Sequence, residues 1–204
     1  MKKTLVIAFA GLALMASAVS YAKGDATKGK ALAATCAACH GADGNSTNPD
    51  WPKIAGQGEA YIAKQLHDFR NEKRVDPVMS AQAKMIASDE DVEHLAAYFA
   101  SQQAKPGTGD AAKVEEGGLL YKGGKVSTKV TACAACHGPT GAGNDAAKFP
   151  QLAGQHSKYL VTQLKNFRSS TRANDAGQMM RNIAEKMSDS DIEAVAEYIS
   201  GLQE

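Results

Sequence analysis

Thr35-Cys36-Ala37-Ala38-Cys39-His40-Gly41 returns at an offset of 97 as Ala132-Cys133-Ala134-Ala135-Cys136-His137-Gly138. All 4 Cys of the 204-residue chain lie in these two Cys-x-x-Cys-His pentapeptides. Two thiols three residues apart at a helix start can reach the two vinyl groups along one edge of a haem and form thioethers. The next residue, His, then lies beneath the porphyrin with its imidazole aimed at the iron. On this reading Cys36, Cys39 and His40 hold one covalent haem, and Cys133, Cys136 and His137 hold another.

Three other uses of such a motif fit less well. A thioredoxin-like redox pair comes with a βαβ pattern, which this chain lacks. A disulfide across Cys-x-x-Cys closes too tight a loop to stabilise much, and it leaves both His unexplained. In a Cys2His2 zinc site, a His directly after the second Cys is badly placed to complete a tetrahedron.

Outward from the motifs, the chain repeats itself. Trp51-Pro52-Lys53-Ile54-Ala55-Gly56-Gln57 returns as Phe149-Pro150-Gln151-Leu152-Ala153-Gly154-Gln155 at offset 98. Tyr61, Gln65-Leu66, Phe69 and Arg70 match Tyr159, Gln163-Leu164, Phe167 and Arg168 at that same offset. Ser88-Asp89, Asp91, Glu93 and Tyr98 match Ser188-Asp189, Asp191, Glu193 and Tyr198 at offset 100. A period near 100 is too long for a solenoid and suits tandem domains. Pro106, Gly107 and Gly109 interrupt the helical patterning between the copies. The expected division is a leader at 1–22, a first domain at 23–103, a linker at 104–112 and a second domain at 113–204.

Periodicity within each copy is helical. Ile62, Leu66 and Phe69 form one apolar stripe and predict a helix over about 59–70, and Leu160, Leu164 and Phe167 repeat it. Ser88 reads as an N-cap before acidic Asp89-Glu90-Asp91, with Val92, Leu95, Ala96 and Phe99 on the buried face. Ser188 opens the matching helix. Shorter helices are expected from about Ala26 to Thr35 and from about Val114 to Tyr121, and the class is all-α. Domains of roughly 100 residues with few large aliphatic side chains have thin cores. A haem would fill each one.

The sixth iron ligand separates electron transfer from substrate chemistry. Each copy offers Met ahead of its last helix. Met79 follows Asp76-Pro77-Val78, where Pro suggests an extended loop able to carry a thioether. Met85 and Met187 read as core packing. Offset 100 pairs Met79 with Met179, but Met180 is adjacent and the residues alone leave that choice open. His67 and His94 lie off the apolar stripes and read as solvated. His156 replaces Gly58 of the first copy and reads as no ligand. Lys and Arg are spread without a basic block and read as surface.

Residues 1–22 carry Lys2-Lys3, an apolar run from Leu5 to Ala18 and small residues up to Ala22, the pattern of a secretory leader. The apolar run is shorter than the roughly 20 residues of a membrane span, so export to the periplasm is expected. Residues 23–104 carry 9 basic and 11 acidic side chains, and residues 105–204 carry 12 and 11. A near-neutral mature chain argues against nucleic acid as a partner.

The paired Cys-Ala-Ala-Cys-His sites, the Trp/Phe-Pro…Ala-Gly-Gln stretches, and the Tyr…Gln-Leu…Phe-Arg and Ser-Asp-x-Asp helices resemble the cytochrome c4 family over the whole mature chain. That resemblance implies two tandem cytochrome c-type domains, each wrapped around one covalent haem, with haem edges facing. It implies axial Met eight residues before the Ser cap, which favours Met180 over Met179; Met79 stands nine before Ser88. It also implies that the carbonyls of Pro52 and Pro150 accept a hydrogen bond from His40 and His137. The function it implies is electron carriage without catalysis, between a quinol-oxidising complex and a terminal oxidase, by a monomer for which peripheral membrane association stays open. The alternatives are a dihaem redox enzyme, such as a peroxidase or thiosulfate-oxidising cytochrome, and a docking module with structural haems.

Overall fold

The structure is a computed structural model that describes residues 24–203. The expected leader, 1–22, lies outside the described residues. The first copy folds as α1 (Ala26–Leu32), α2 (Ala34–His40), α3 (Glu59–Arg70), α4 (Met79–Lys84) and α5 (Asp89–Ala100). The second repeats the order as α6 (Ala111–Gly123), α7 (Ala134–His137), α8 (Ser157–Arg168), α9 (Met179–Ala184) and α10 (Asp189–Gly201). No strand occurs among the described residues, only isolated bridges at Lys125–Val130 and Asn144–Phe149.

The stripe at 59–70 forms α3, and its repeat forms α8. The helix expected over 26–35 is instead two, broken at Ala33, whose N–H bonds Lys30 O at 3.3 Å. The helix expected over 114–121 is longer. Asp110 caps it by accepting from Ala112 N, so α6 begins inside the stretch read as a linker.

In each copy the first and last helices cross at a glycine. A Cβ on Gly29 would lie 1.9 Å from His94 O, and one on Gly117 would lie 2.0 Å from Ala194 O. Around these crossings Ile62, Val92, Leu95 and Phe99 form one core, and Leu120, Leu160, Ile192, Val195 and Ile199 form the other. Burying each such side chain contributes about 1.5–3 kcal/mol.

The crossings also expose a difference between the copies. Gly29 precedes Cys36 by seven residues, whereas Gly117 precedes Cys133 by sixteen. The nine extra residues lengthen the first helix beyond its glycine and add a hairpin turn closed by Lys125 N to Val130 O at 2.9 Å and Val130 N to Lys125 O at 3.0 Å.

The halves meet across an approximate two-fold axis. Gln57 donates to Gln151 O and accepts from Gln151 N, while Gln155 donates to Lys53 O and accepts from Lys53 N. Arg74 donates to Tyr159 Oη and Gln163 Oε1, both at 3.0 Å, and Arg172 donates to Tyr61 Oη at 3.0 Å and Gln65 Oε1 at 3.2 Å. Each guanidinium also lies over a ring of its own half, Arg74 on Phe69 and Arg172 on Phe167. These arginines correct the reading of Lys and Arg as solvated surface. Arg172 is buried and Arg74 half-buried, because planar donors can satisfy several amide and phenol oxygens at once.

Ser88 and Ser188 cap α5 and α10 as expected, and the second cap is a full capping box with Asp191. Burial disfavours the Asp191 carboxylate, but Lys125 and the N–H and O–H of Ser188 outweigh it and hold the pKa below 3.8. Stabilisation from a depressed carboxyl is full above about pH 4 and is lost as pH falls through the lower folded value. Asp191→Asn is therefore expected to weaken the fold at neutral pH and to flatten the acid limb of stability. Urea midpoints measured from neutral pH down to about pH 3 test this, and an unchanged acid limb would refute it.

Candidate functional site

Cys36, Cys39 and His40 ride on α2, and Cys133, Cys136 and His137 on or beside α7. Spacings of three and four residues put each trio on one helical face. Each His ends its helix, and a glycine in the left-handed region follows, Gly41 at φ 81° and Gly138 at φ 79°. The chain then turns back through Gly44 in one copy and Gly141 in the other. Gly44 O accepts from Ile54 N at 2.8 Å, and Gly141 O accepts from Leu152 N at 2.7 Å. Those bonds set the prolines against the imidazoles. His40 Nδ1 lies 2.9 Å from Pro52 O, and His137 Nδ1 lies 2.9 Å from Pro150 O.

A carbonyl can only accept, so Nδ1 carries the proton in both rings and Nε2 keeps its lone pair. Burial lowers the pKa of both His and outweighs the opposing effect of the carbonyls, which favours neutral imidazole. Among the described residues neither Nε2 has a hydrogen-bond partner. The 4 Cys form no disulfide with one another. Burial raises the Cys36 thiol and pushes Cys133 up to about 11. No cluster of three or more His, Cys, Asp or Glu among the described residues is arranged to hold a metal ion unaided. Two thiols and an oriented, neutral imidazole with a free Nε2 fit covalent haem at both positions.

The methionines divide by burial. Met79 and Met180 are half-buried, Met179 is 42% exposed, and Met187 belongs to the second core at 4%. Met85 corrects the core-packing reading, since it is 70% exposed. Met79 also sits differently from expectation. It is the first residue of α4, not part of an extended loop, because the Asp76 carboxylate accepts from Val78 N and Met79 N at 3.0 and 2.8 Å and starts the helix.

The helices α4 and α9 resolve the register. Ala83 and Ala184 are both 0% exposed. Arg70 donates to Ile86 O at 3.3 Å, and its counterpart Arg168 donates to Met187 O at 3.1 Å. Both pairs stand at offset 101, and that offset pairs Met79 with Met180. The count of nine before Ser88 then reflects one additional residue, Ala87, after the helix.

His94 corrects its reading as solvated. It is 8% exposed, and Nδ1 accepts from Asp25 N at 3.0 Å, joining the chain before α1 to α5. His67 is half-buried between Asp89 and Glu93. His156 Nε2 lies 2.9 Å from Ser46 O, a contact between the halves. Sequence reasoning missed the interface pairs, although Lys53/Gln151, Gln57/Gln155 and Arg74/Arg172 all recur at offset 98. Polar residues repeating in step with the apolar ones were the available signal.

A protein-family model for cytochrome c matches the chain twice, over residues 26–103 and 121–203. Fold and sites thus define a c-type cytochrome with two haem-binding domains. The chain is 46% identical over 203 residues to cytochrome c4 of Pseudomonas aeruginosa, covering 99% of this chain and 100% of the relative. It is 39% identical over 175 residues to the thiosulfate dehydrogenase electron acceptor of Stutzerimonas stutzeri, covering 83% and 80%. The crystal structure of reduced recombinant cytochrome c4 from Pseudomonas stutzeri superposes with a TM-score of 0.86 at 44% identity, covering 88% of this chain and 100% of that one. The chain belongs to the cytochrome c4 family. It is a dihaem electron carrier with two covalent haem c groups, not an enzyme.

Proposed function

We propose that this protein carries electrons in the periplasm from a quinol-oxidising respiratory complex to a terminal oxidase. The observation that carries the reading is the identical pairing of Nδ1 with a proline carbonyl in both copies. Cys36, Cys39, Cys133 and Cys136 would form the thioethers, and His40 with Met79 and His137 with Met180 would ligate the irons. The Pro52 and Pro150 carbonyls would fix each ring and raise the basicity of its Nε2. When bound, the haem irons supply one-electron exchange. The protein's own part would be to orient both imidazoles and to offer the Met79 and Met180 thioethers to the irons. Thioether ligation raises the potential, which suits a carrier feeding an oxidase.

Each domain would work as one redox unit, residues 23–103 and 113–204 with 104–112 between them. The cytochrome c matches over 26–103 and 121–203 support that division. No helix among the described residues is long and apolar enough to cross a membrane. A second reading of the donor follows from the relative named thiosulfate dehydrogenase electron acceptor, and on it the electrons come from thiosulfate oxidation.

The visible spectrum tests ligation. The weak long-wavelength methionine-to-iron(III) band of the oxidised protein is expected at an amplitude for two haems. An amplitude for one haem or none, with carbon monoxide binding readily to the reduced protein, would defeat the carrier reading. Reduction by a purified quinol-oxidising complex, compared with reduction by thiosulfate dehydrogenase and thiosulfate, decides the donor.

A further inference from the structure

The joint between the halves is two-fold in outline, but its charges are not. Lys53 stands in the first half where the second has Gln151, each directly after the proline whose carbonyl meets an imidazole. The two backbones are held alike, Lys53 by Gln155 and Gln151 by Gln57. The side chains differ. Lys53 is half-buried, and its Nζ donates to Gly154 O at 2.9 Å, Lys105 O at 3.0 Å and Pro106 O at 3.5 Å. Three carbonyls match the three donors of an ammonium, which has no acceptor of its own. Lys53 has no carboxylate partner among the described residues. Its cationic neighbours do: Lys105 pairs with Asp43 at 2.8 Å, and Lys158 pairs with Asp50 at 2.7 Å. Burial, and then the Lys105 charge, lower the Lys53 pKa from its usual 10.5, the direction for a cation without a counter-ion.

The place of this charge is fixed from both sides. Pro52 O lies 2.9 Å from His40 Nδ1, and the peptide from Pro52 leads straight into Lys53. One peptide unit, the imidazole and a full lysine stem keep Nζ within about 15 Å of His40 Nε2. On the other side, Gly154 closes the short stretch that starts at Pro150, whose carbonyl meets His137. The ammonium therefore lies between the two segments that orient the two imidazoles. Another titratable group feels it. Burial, opposed by the Ser46 carbonyl, and then the Lys53 charge lower the His156 pKa from its usual 6.5.

From this placement, and on the electron-carrier reading, we infer that Lys53 is a potential-setting residue, whose ammonium raises the reduction potentials of both irons. Reduction adds one electron to a ferric centre and lowers its charge by one, so a fixed cation nearby favours the ferrous state. Water weakens such an interaction with a dielectric of about 80, against an effective value of about 20 near a protein surface. Held by backbone carbonyls on three sides, Lys53 loses less to screening than a freely exposed lysine does.

The test is a mediated potentiometric titration of the full dihaem protein, in which the electrode supplies one electron per iron. Lys53→Gln gives the first half the residue that the second half already holds, and it keeps a hydrogen-bond donor. It is expected to shift both equilibria about fourfold toward ferric iron, roughly 35 mV at 59 mV per tenfold change. Lys53→Arg keeps the charge and should shift neither by more than about 1.5-fold. Lys105→Gln removes a charge that is exposed and already paired, and should also stay within about 1.5-fold. Proton NMR of the fully reduced protein supplies a readout independent of potential. The His156 imidazole should titrate at higher pH in Lys53→Gln than in the unaltered protein or in Lys53→Arg.

Unchanged potentials in Lys53→Gln, with the His156 titration raised, would mean that the charge is gone without effect on the irons, and would overturn the assignment. An equal fall in Lys53→Arg, or a fall in Lys53→Gln with His156 unmoved, would assign the shift to packing of the joint. An equal fall in Lys105→Gln would reduce it to net charge. Either result removes Lys53 from the setting of the potentials. An unaltered protein without two reversible one-electron couples would instead remove the carrier reading, while His156 would still report the Lys53 charge.

Discussion

Met180→Ala is expected to lower the reduction potential of the second haem by on the order of 100–300 mV, since axial ligands alone set haem potentials over about 0.8 V. A thioether favours ferrous iron, and water or hydroxide in its place favours ferric. Met179→Ala, on a side chain 42% exposed, should leave that potential within about 20 mV, a shift well below the roughly 59 mV per tenfold change of a one-electron couple. Potentiometric titration of each variant, followed in the visible spectrum, reads both haems separately. Met79→Ala should act on the first haem as Met180→Ala acts on the second. A large shift from Met179→Ala with none from Met180→Ala would reverse the assignment and discard the offset-101 register. Met187→Ala is a useful contrast. Its side chain is 4% exposed in the core, so it should cost about 2–5 kcal/mol of stability with the potential little changed.

The candidate haem sites were legible from sequence because the covalent attachment proposed for them imposes a local spelling. Cys36, Cys39 and His40 must share one turn, so the motif is written in five consecutive residues. The long helices were legible for a similar reason, since stripes such as Ile62, Leu66 and Phe69 report burial directly. The short helices were not. Six residues, as in α4 and α9, barely complete a stripe, and the carboxylate of Asp76 starts α4 where Pro77 pointed to extended chain.

The joint between the halves was hidden by its polarity. Arg172 and Gln65 are types found mostly on surfaces, and nothing local marks them as buried. Their burial becomes affordable only when the partner copy supplies acceptors, so the information sits in the duplication and not in either half. His94 was misread the same way. Its place off the apolar stripe is real, but Asp25 N comes from another part of the chain to occupy it. The hairpin escaped because comparing the Cys motifs sets the copies in register after the insertion, and the glycines that reveal it are visible only as helix crossings.

Those glycines carry the largest expected effect on stability. Gly117→Ala places a methyl 2.0 Å from Ala194 O and 2.6 Å from its carbonyl carbon, backbone atoms that α10 cannot move without lifting off α6. Overpacking on this scale is expected to cost roughly 3 kcal/mol or more, a large share of what a small domain has. The neighbouring glycines of the same helix provide the controls. At Gly118 the nearest atom is Tyr198 Cε2 at 2.9 Å, the edge of a ring that can swing aside, so Gly118→Ala should cost under about 1.5 kcal/mol. At Gly123 nothing lies within 4 Å, so alanine there should gain about 0.5–1 kcal/mol through helix propensity and a less flexible unfolded chain. Thermal unfolding of the three holoproteins, followed by far-ultraviolet circular dichroism, gives the order directly. If Gly117→Ala were no worse than Gly118→Ala, the helices would not be in backbone contact at this crossing. Gly29→Ala should repeat the large loss in the first half, because its methyl would meet His94 O at 1.9 Å. The crossing is thus kept in both copies while their first helices differ in length and their routes to the Cys pair differ by nine residues.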